Sequence, residues 1–448
     1  MIDSTHPVQA QKPTYKNNPK VINAWCSYDW ANSVYNLTIT ATIFPVYYSA
    51  VTREAYGGET VNFLGIQVQN TVLYSYAISF SFLVIVFLSP VLSGIADYSG
   101  KKKRFMQFFT YTGSLACLGL FLFTGENVTY GIICSVLASI GYAGALVFYN
   151  AFLPEIATPD RMDKISAKGF SMGYTGSVVL LLVNVLIISN PGWVGLPDTD
   201  AGKLQATRLA FLMVGIWWLC FSQIAFYFLK DQPTHNKATS GLLTKGFHEL
   251  SKVLRSLREQ KPTLRFLSAF FFYSMGVQTV MLLAPLFGEA EIHLPGDKLI
   301  LTVLILQIVA ILGAQLFARI ATNKGNKLSI AIAICIWACI CIAAYFLTTE
   351  IQFYILAAFL GLVMGGIQSV SRSTYSKLIP IGTKDTASYF SLYDVSEKLA
   401  IVLGTFSYGL ILQLTGSMRN SAASMIVFFI AGFIFLMMAR LPKPEHNK

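Results

Sequence analysis

Apolar residues run in twelve stretches near twenty residues long, at about 26–50, 73–94, 105–124, 128–153, 166–189, 208–229, 263–287, 299–319, 328–347, 351–378, 387–413 and 420–440. A helix needs about twenty apolar residues to cross a hydrocarbon core about 30 Å thick. The pattern therefore predicts an all-α membrane protein with twelve transmembrane helices. Polar segments separate the stretches, and the longest, 231–262, divides them six and six. The implied organisation is a tail (1–22), a six-helix bundle (23–230), a linker (231–262), a second six-helix bundle (263–440) and a tail (441–448). In the linker, Leu243, Phe247, Leu250, Leu254 and Leu257 recur at helical spacing with Lys and Arg opposite. That spacing predicts an amphipathic helix that lies on the membrane surface or joins the halves.

Composition agrees with lipid as the solvent. Of 448 residues, 54% are hydrophobic and 12% charged, and the mean hydropathy is +0.56. A soluble domain carries about 25% charge. Lysine and arginine then set orientation. With the N-terminus cytosolic, 27 of the 33 basic residues fall in inner segments and 5 in outer ones, and Lys398 lies inside a span. The net charge of +11 is thus explained by topology, and no nucleic-acid partner is expected. Both termini are expected in the cytosol, and the polar, basic first twenty residues read as a tail, not a cleaved leader. The seven cysteines, an odd number, sit in or beside apolar runs and read as small apolar residues. The five histidines fall in tails or loops, with no metal-ligand spacing. No phosphate-loop motif occurs, so neither ATP drive nor any cofactor is expected.

The halves echo each other. "SGIADYSGKKKR" follows the second span and "ARIATNKGNK" the eighth; "FYNAFLP" ends the fourth and "TYSKLIP" the tenth; "FSMGYTGS" in the fifth aligns with "FSLYDVSE" in the eleventh. A duplicated six-plus-six bundle is a plan for alternating-access carriers. Asp97, Gly100, Lys101 and Lys102 resemble the loop signature of the major facilitator superfamily, although Ser93 and Tyr98 depart from it. "YDWANSVY", "FYNAFLPEIA", "GGIQSVSRS" and "YDVSEK" together resemble the vacuolar-effluxer-like family of that superfamily, related to fungal autophagy-linked amino-acid exporters. In the last motif Glu397 stands where a glycine is expected. The resemblance runs from about Ile22 to Arg440. It implies a gradient-coupled carrier of a small metabolite, with amino-acid export as the precedent and protons as the expected coupling ion. It further implies a cavity lined by spans 1, 4, 7 and 10. The expected setting is a bacterial inner membrane, as a monomer.

Charges inside the spans are the candidate chemistry. In span 11, Asp394 and Lys398 lie about 12 and 18 Å deep at 1.5 Å per residue, and Glu397 sits between them. Each lone charge would cost about 2.5–3.5 kcal/mol on the insertion scale. All three must therefore be paired, hydrated or protonated, and Asp394 and Lys398 are i,i+4 neighbours in the favourable order. A coupling site and a structural salt bridge both fit. In span 1, Asp29, Asn32 or Ser33, Asn36 and Thr40 share one helix face, which should meet water rather than lipid. Asp29 alone could equally cap the helix, and Trp25 and Trp30 are expected to anchor the inner interface. Tyr149 and Asn150 (span 4), Tyr273 and Gln278 (span 7), and Gln368 and Arg372 (span 10) are further pathway candidates. Arg372 could hold a substrate carboxylate, snorkel, or meet helix-end carbonyls. Asp97, Gly100, Lys101, Glu155 and Arg161 are expected to form a gating loop region at the inner end. The expected activity is secondary active transport of a small polar metabolite. Carriage of a sugar, peptide or drug, a non-transporting receptor or scaffold, and a membrane enzyme are the rivals.

Overall fold

Backbone N–H and C=O groups find no water in a bilayer core, so the apolar stretches must pair them internally as helices. The computed structural model, which describes residues 15–231 and 242–442, is almost wholly helical. The first half holds α1 (Pro19–Tyr35), a π-helical turn (Asn36–Thr42), α2 (Ile43–Tyr56), α3 (Asn70–Ser99), α4 (Lys102–Leu120), α5 (Val128–Ala151) with the single turn α6 (Leu153–Ile156), α7 (Pro159–Ser189) and α8 (Asp200–Phe228). The second half holds α10 (Lys261–Ile292), α11 (Gly296–Lys324), α12 (Asn326–Tyr345), α13 (Glu350–Leu378), α14 (Thr386–Thr415) and α15–α16 (Met418–Ser424 and Ile426–Met438). Between the halves lies α9 (Leu242–Glu259). A two-stranded antiparallel hairpin, β1 (Thr60–Phe63) and β2 (Ile66–Gln69), joins α2 to α3.

Among the described residues, ten helices are long and apolar enough by themselves to cross a membrane. The two other expected spans fall short for local reasons. α4 opens on Lys102, Lys103 and Arg104. The first span, expected as one helix over 26–50, is divided by the π turn. There the Thr42 hydroxyl donates to the Leu37 carbonyl, five residues back, at 2.7 Å. Pro45 lies just beyond, has no N–H to donate, and its ring crowds the carbonyl four residues earlier. With these two, the chain forms the twelve-helix, two-bundle arrangement. The expected tails and linker fall partly outside the described residues: 1–14, 232–241 and 443–448, and the side chain of Leu243.

Two seams join the halves: α3 packs on α14, and α7 packs on α11 and α13. Small residues permit the closest approaches. A side chain on Gly365 would strike the Ala310 carbonyl, and one on Gly94 would strike the carbonyl of Gly246 in α9. The amphipathic stripe of α9 is split by this docking. Val253 and Leu257 are buried, whereas Phe247 and Leu254 stay exposed. Trp25 is not an interfacial anchor. It is fully buried, and its Nε1 donates to the Tyr149 carbonyl at 2.9 Å. Apolar periodicity could not separate a lipid-facing tryptophan from a protein-facing one. Trp30 is half-buried and stacks on Trp217 at 5.1 Å. All seven cysteines are free.

Candidate functional site

α1 enters from the end of the bundle that carries the basic loops, and its third turn presents Asp29. A buried carboxylate needs a cation and hydrogen bonds. The other half of the chain supplies the cation, and both halves supply hydrogen bonds. Arg372 of α13 places Nη1 and Nη2 at 3.2 and 3.1 Å from Asp29 Oδ2, and the Tyr149 hydroxyl donates to the same oxygen at 2.8 Å. Asp29 is 5% exposed and Arg372 3%. Arg372 also donates from Nε to Ser166 Oγ (3.0 Å), from Nη2 to the Ser166 carbonyl (2.9 Å) and from Nη1 to Asn150 Oδ1 (3.3 Å). Its guanidinium carbon lies 4.8, 5.5 and 4.1 Å from the ring centres of Trp25, Tyr149 and Phe170. Gly169 makes the space. A Cβ there would stand 2.6 Å from Asp29 Oδ2 and 2.9 Å from Arg372 Nη2. Every edge of the arginine fork is therefore engaged inside the protein, so it is not free to hold a substrate carboxylate here.

Closer to the basic end, three further contacts tie the halves together. The Asp97 carboxylate, from α3, accepts the free N–H groups of Ala387 (3.2 Å) and Ser388 (2.7 Å) at the start of α14. The helix dipole and unpaired amides of that terminus favour a negative charge. Lys102, 2% exposed, is ion-paired to Glu155 and donates to Thr386 Oγ1 at 2.6 Å; Thr386 in turn donates to Glu155 Oε1 at 2.8 Å. Asp163 of α7 meets Lys377 Nζ at 2.5 Å and accepts from Ser373 and Asn326, both at 2.7 Å.

Three members of the expected gating loop region stand apart from these contacts. Lys101 contributes its backbone N–H to the Ala96 carbonyl, and the buried base is Lys102, one residue on. Gly100 closes α3 in the left-handed region (φ +65°), which suits a residue without Cβ. Arg161 sits in the first turn of α7, more than half exposed, beside Asp160 and away from Glu155.

Towards the opposite end, a cavity of about 280 Å³ lies between the halves. Its polar lining includes Asn36, Thr40, Gln278 and Gln307, and its walls are otherwise largely apolar, among them Phe82, Met281 and Phe287. The span-1 stripe is thus divided. Asn36 and Thr40 reach the cavity, Asp29 is sealed against Arg372, and Asn32 is buried with its Nδ2 unpartnered. Lys398 pairs with Asp394 (3.4 Å) and Glu397 (3.1 Å). Gln278 donates to Glu397 Oε1 at 2.8 Å and connects that cluster to the cavity wall. Asp394 Oδ2 is buried with no hydrogen-bond partner. Gln368 accepts from the Tyr174 hydroxyl at 2.7 Å, and Tyr273 shares a hydrogen bond with Ser371. Asp163, Ser166, Asn326 and Lys377 were not among the sequence candidates, and Lys102 appeared only within the loop signature. Asp163 lies in the polar segment between the fourth and fifth stretches and Lys377 at the inner end of the tenth, and only the echo of "GKKKR" in "GNK" pointed at Asn326.

The family described as "Vacuole effluxer Atg22 like" matches residues 17–447. The chain belongs to the Atg22-like effluxer family. Among its relatives, "Uncharacterized MFS-type transporter YxiO" of Bacillus subtilis is 29% identical, over 94% of this chain and 95% of that protein. "Autophagy-related protein 22" of Saccharomyces cerevisiae is 26% identical, over 83% and 76%. The Atg22-like chain also superimposes on the major facilitator FucP in its outward conformation, with a TM-score of 0.69 at 13% identity over 94% and 98%. It matches the proton:xylose symporter XylE equally well, at 0.69 and 13% over 95% and 96%. At such identities these two show the fold alone. This Atg22-like protein is a multi-pass membrane transporter of the major facilitator type and not an enzyme.

Proposed function

We propose that this transporter exports a small polar metabolite, an amino acid, by alternating access coupled to protons. The observation that carries the reading is the polarity of the seam: hydrogen bonds and ion pairs join the halves at the basic end, and the cavity lies beyond them. With the basic end cytosolic, as the lysine and arginine distribution favours, this is a conformation sealed inside and directed outward. The proposed setting is a cell membrane, with the protein acting as a monomer in lipid and without nucleic acid. The family's description as an effluxer supports export, and the mixed cavity suits a zwitterion with an apolar side chain. Asn36 and Gln278 would meet its polar end, and Met281 and Phe287 its side chain.

Coupling is assigned to the cluster on α14. A proton on Asp394 or Glu397 weakens the hold on Lys398, and Gln278 transmits the change to the cavity wall. Asp97, Lys102, Glu155, Asp163 and Lys377 act as the inner seal, which must part in each cycle.

The test is flux of amino acids in proteoliposomes. The paired substitutions Asp394→Asn and Glu397→Gln are expected to abolish pH-driven flux and to leave counterflow exchange. If no amino acid, peptide or sugar moves under any gradient, the carrier reading fails and a scaffold role takes its place. Unfolding of the variants would make the cluster a structural ion pair.

A further inference from the structure

Arg372 reaches out of its own half into a pocket built wholly by the other. Trp25 and Asp29 come from α1, Tyr149 and Asn150 from α5, and Ser166 and Phe170 from α7. One wall of the pocket is held by contacts that do not involve the arginine. Trp25 stacks on Tyr149 with ring centres 4.5 Å apart, Trp25 Nε1 bonds to the Tyr149 carbonyl, and the Tyr149 hydroxyl holds Asp29. Three aromatic faces around one buried carboxylate have the chemistry of a cation receptor. Gly169 leaves it room for a planar group.

We infer that the Trp25–Asp29–Tyr149–Phe170 pocket is a binding site for a guanidinium or primary ammonium cation, and that Arg372 is its internal occupant in this conformation. When the halves part at the basic end, α13 withdraws Arg372, and Asp29 is left without a counter-charge among apolar rings. Such a carboxylate must take a cation or a proton. The cage favours an organic cation, which gains the attraction of the three ring faces in addition to the carboxylate, where a proton gains the carboxylate alone. The amino group of a transported solute can occupy the site in place of Arg372, so that the protein's own arginine and the solute compete for one receptor. This role in transport rests on the alternating-access reading; the binding site itself does not.

The test uses the full-length chain in lipid nanodiscs with Arg372→Ala, and with Arg372→Gln as a variant that retains bulk. Methylguanidinium and methylammonium are titrated calorimetrically, with neutral acetamide as control. Saturable binding of the cations and not of acetamide is expected in the variants and not in the unaltered protein, where Arg372 fills the site. Adding Asp29→Asn should weaken it by roughly tenfold or more, the loss of about 1.4 kcal/mol of interaction. A folded variant that binds neither cation overturns the proposal, and a proton on Asp29 then replaces the cation. If both variants unfold, methylguanidinium should restore their thermal transition, and failure to do so also overturns it. Cation binding in a protein that moves no solute would sink the carrier reading and keep the site; flux without binding would do the reverse.

Discussion

At the scale of single residues, the decisive feature is where a carboxylate finds its cation. Asp394 and Lys398 are neighbours on one helix, and their 3.4 Å contact persists whichever way the halves move. Asp29 and Arg372 are 343 residues apart and belong to different halves, so in the proposed alternating-access cycle their contact is lost when the basic end opens. A change that leaves the charges intact but denies them space tests this. Gly169→Ala introduces a methyl 2.6 Å from Asp29 Oδ2. Overpacking of this kind costs about 1–3 kcal/mol, here borne by the closed arrangement alone. The expected result is a longer distance between spin labels on α7 and α13 at the basic end. An unchanged distance distribution would show that the pair accommodates the methyl.

At the scale of elements, α9 is the part of the chain that touches both halves. It packs on α3 in the first and on α10 and α14 in the second. Lys252 bonds to Asp385 at 2.9 Å, just before α14, while Gln260 and Ser256 hold the Tyr389 hydroxyl. The Asp385 hydrogen bond holds the Lys252 ammonium above its ordinary value of 10.5. A raised lysine contributes fully below that value and loses its contribution only as pH climbs through the raised one, so on the lysine side the clamp stays closed through the neutral range. Gly246 packs tightly on α3, since a Cβ there would stand 2.7 Å from the Ile95 side chain and 3.0 Å from the Val91 carbonyl. Gly246→Val should lift α9, and faster hydrogen exchange over 242–259 with little change in α11–α13 is the expected signature. Equal protection in both proteins would mean that α9 shifts without leaving its seat.

At the scale of the whole molecule, the two bundles meet through polar side chains at one end and enclose a cavity towards the other. The side chains of Asp163 and Ser373 meet across the seam, with the Ser373 hydroxyl 2.7 Å from Asp163 Oδ1. Cysteines at these two positions should form a disulfide that prevents the basic end from opening. Transport is expected to stop on oxidation and to return with reductant, and undiminished flux in the cross-linked protein would show that this seam need not part.

The sequence by itself determined what depends on local periodicity. Apolar stretches of bilayer length predicted the helices, and the asymmetry of lysine and arginine gave the expected orientation. The i,i+4 spacing in α14 brought Asp394 to Lys398, because helix geometry alone fixes that distance. The echoes between halves pointed to a duplicated carrier plan, and the motifs "YDWANSVY", "FYNAFLPEIA", "GGIQSVSRS" and "YDVSEK" to the family. Tertiary structure decided everything that depends on which helix faces which. Trp25 is as apolar as a lipid anchor, yet it lines the Arg372 pocket. Asp163, a loop charge in the sequence, and Lys377, a base at the inner end of a span, form a bridge between the halves. Arg372, an ambiguous base near a helix end, is enclosed by residues of the opposite half. Hydrophobicity reports removal from water and is blind to whether lipid or protein removes it; only packing distinguishes the two.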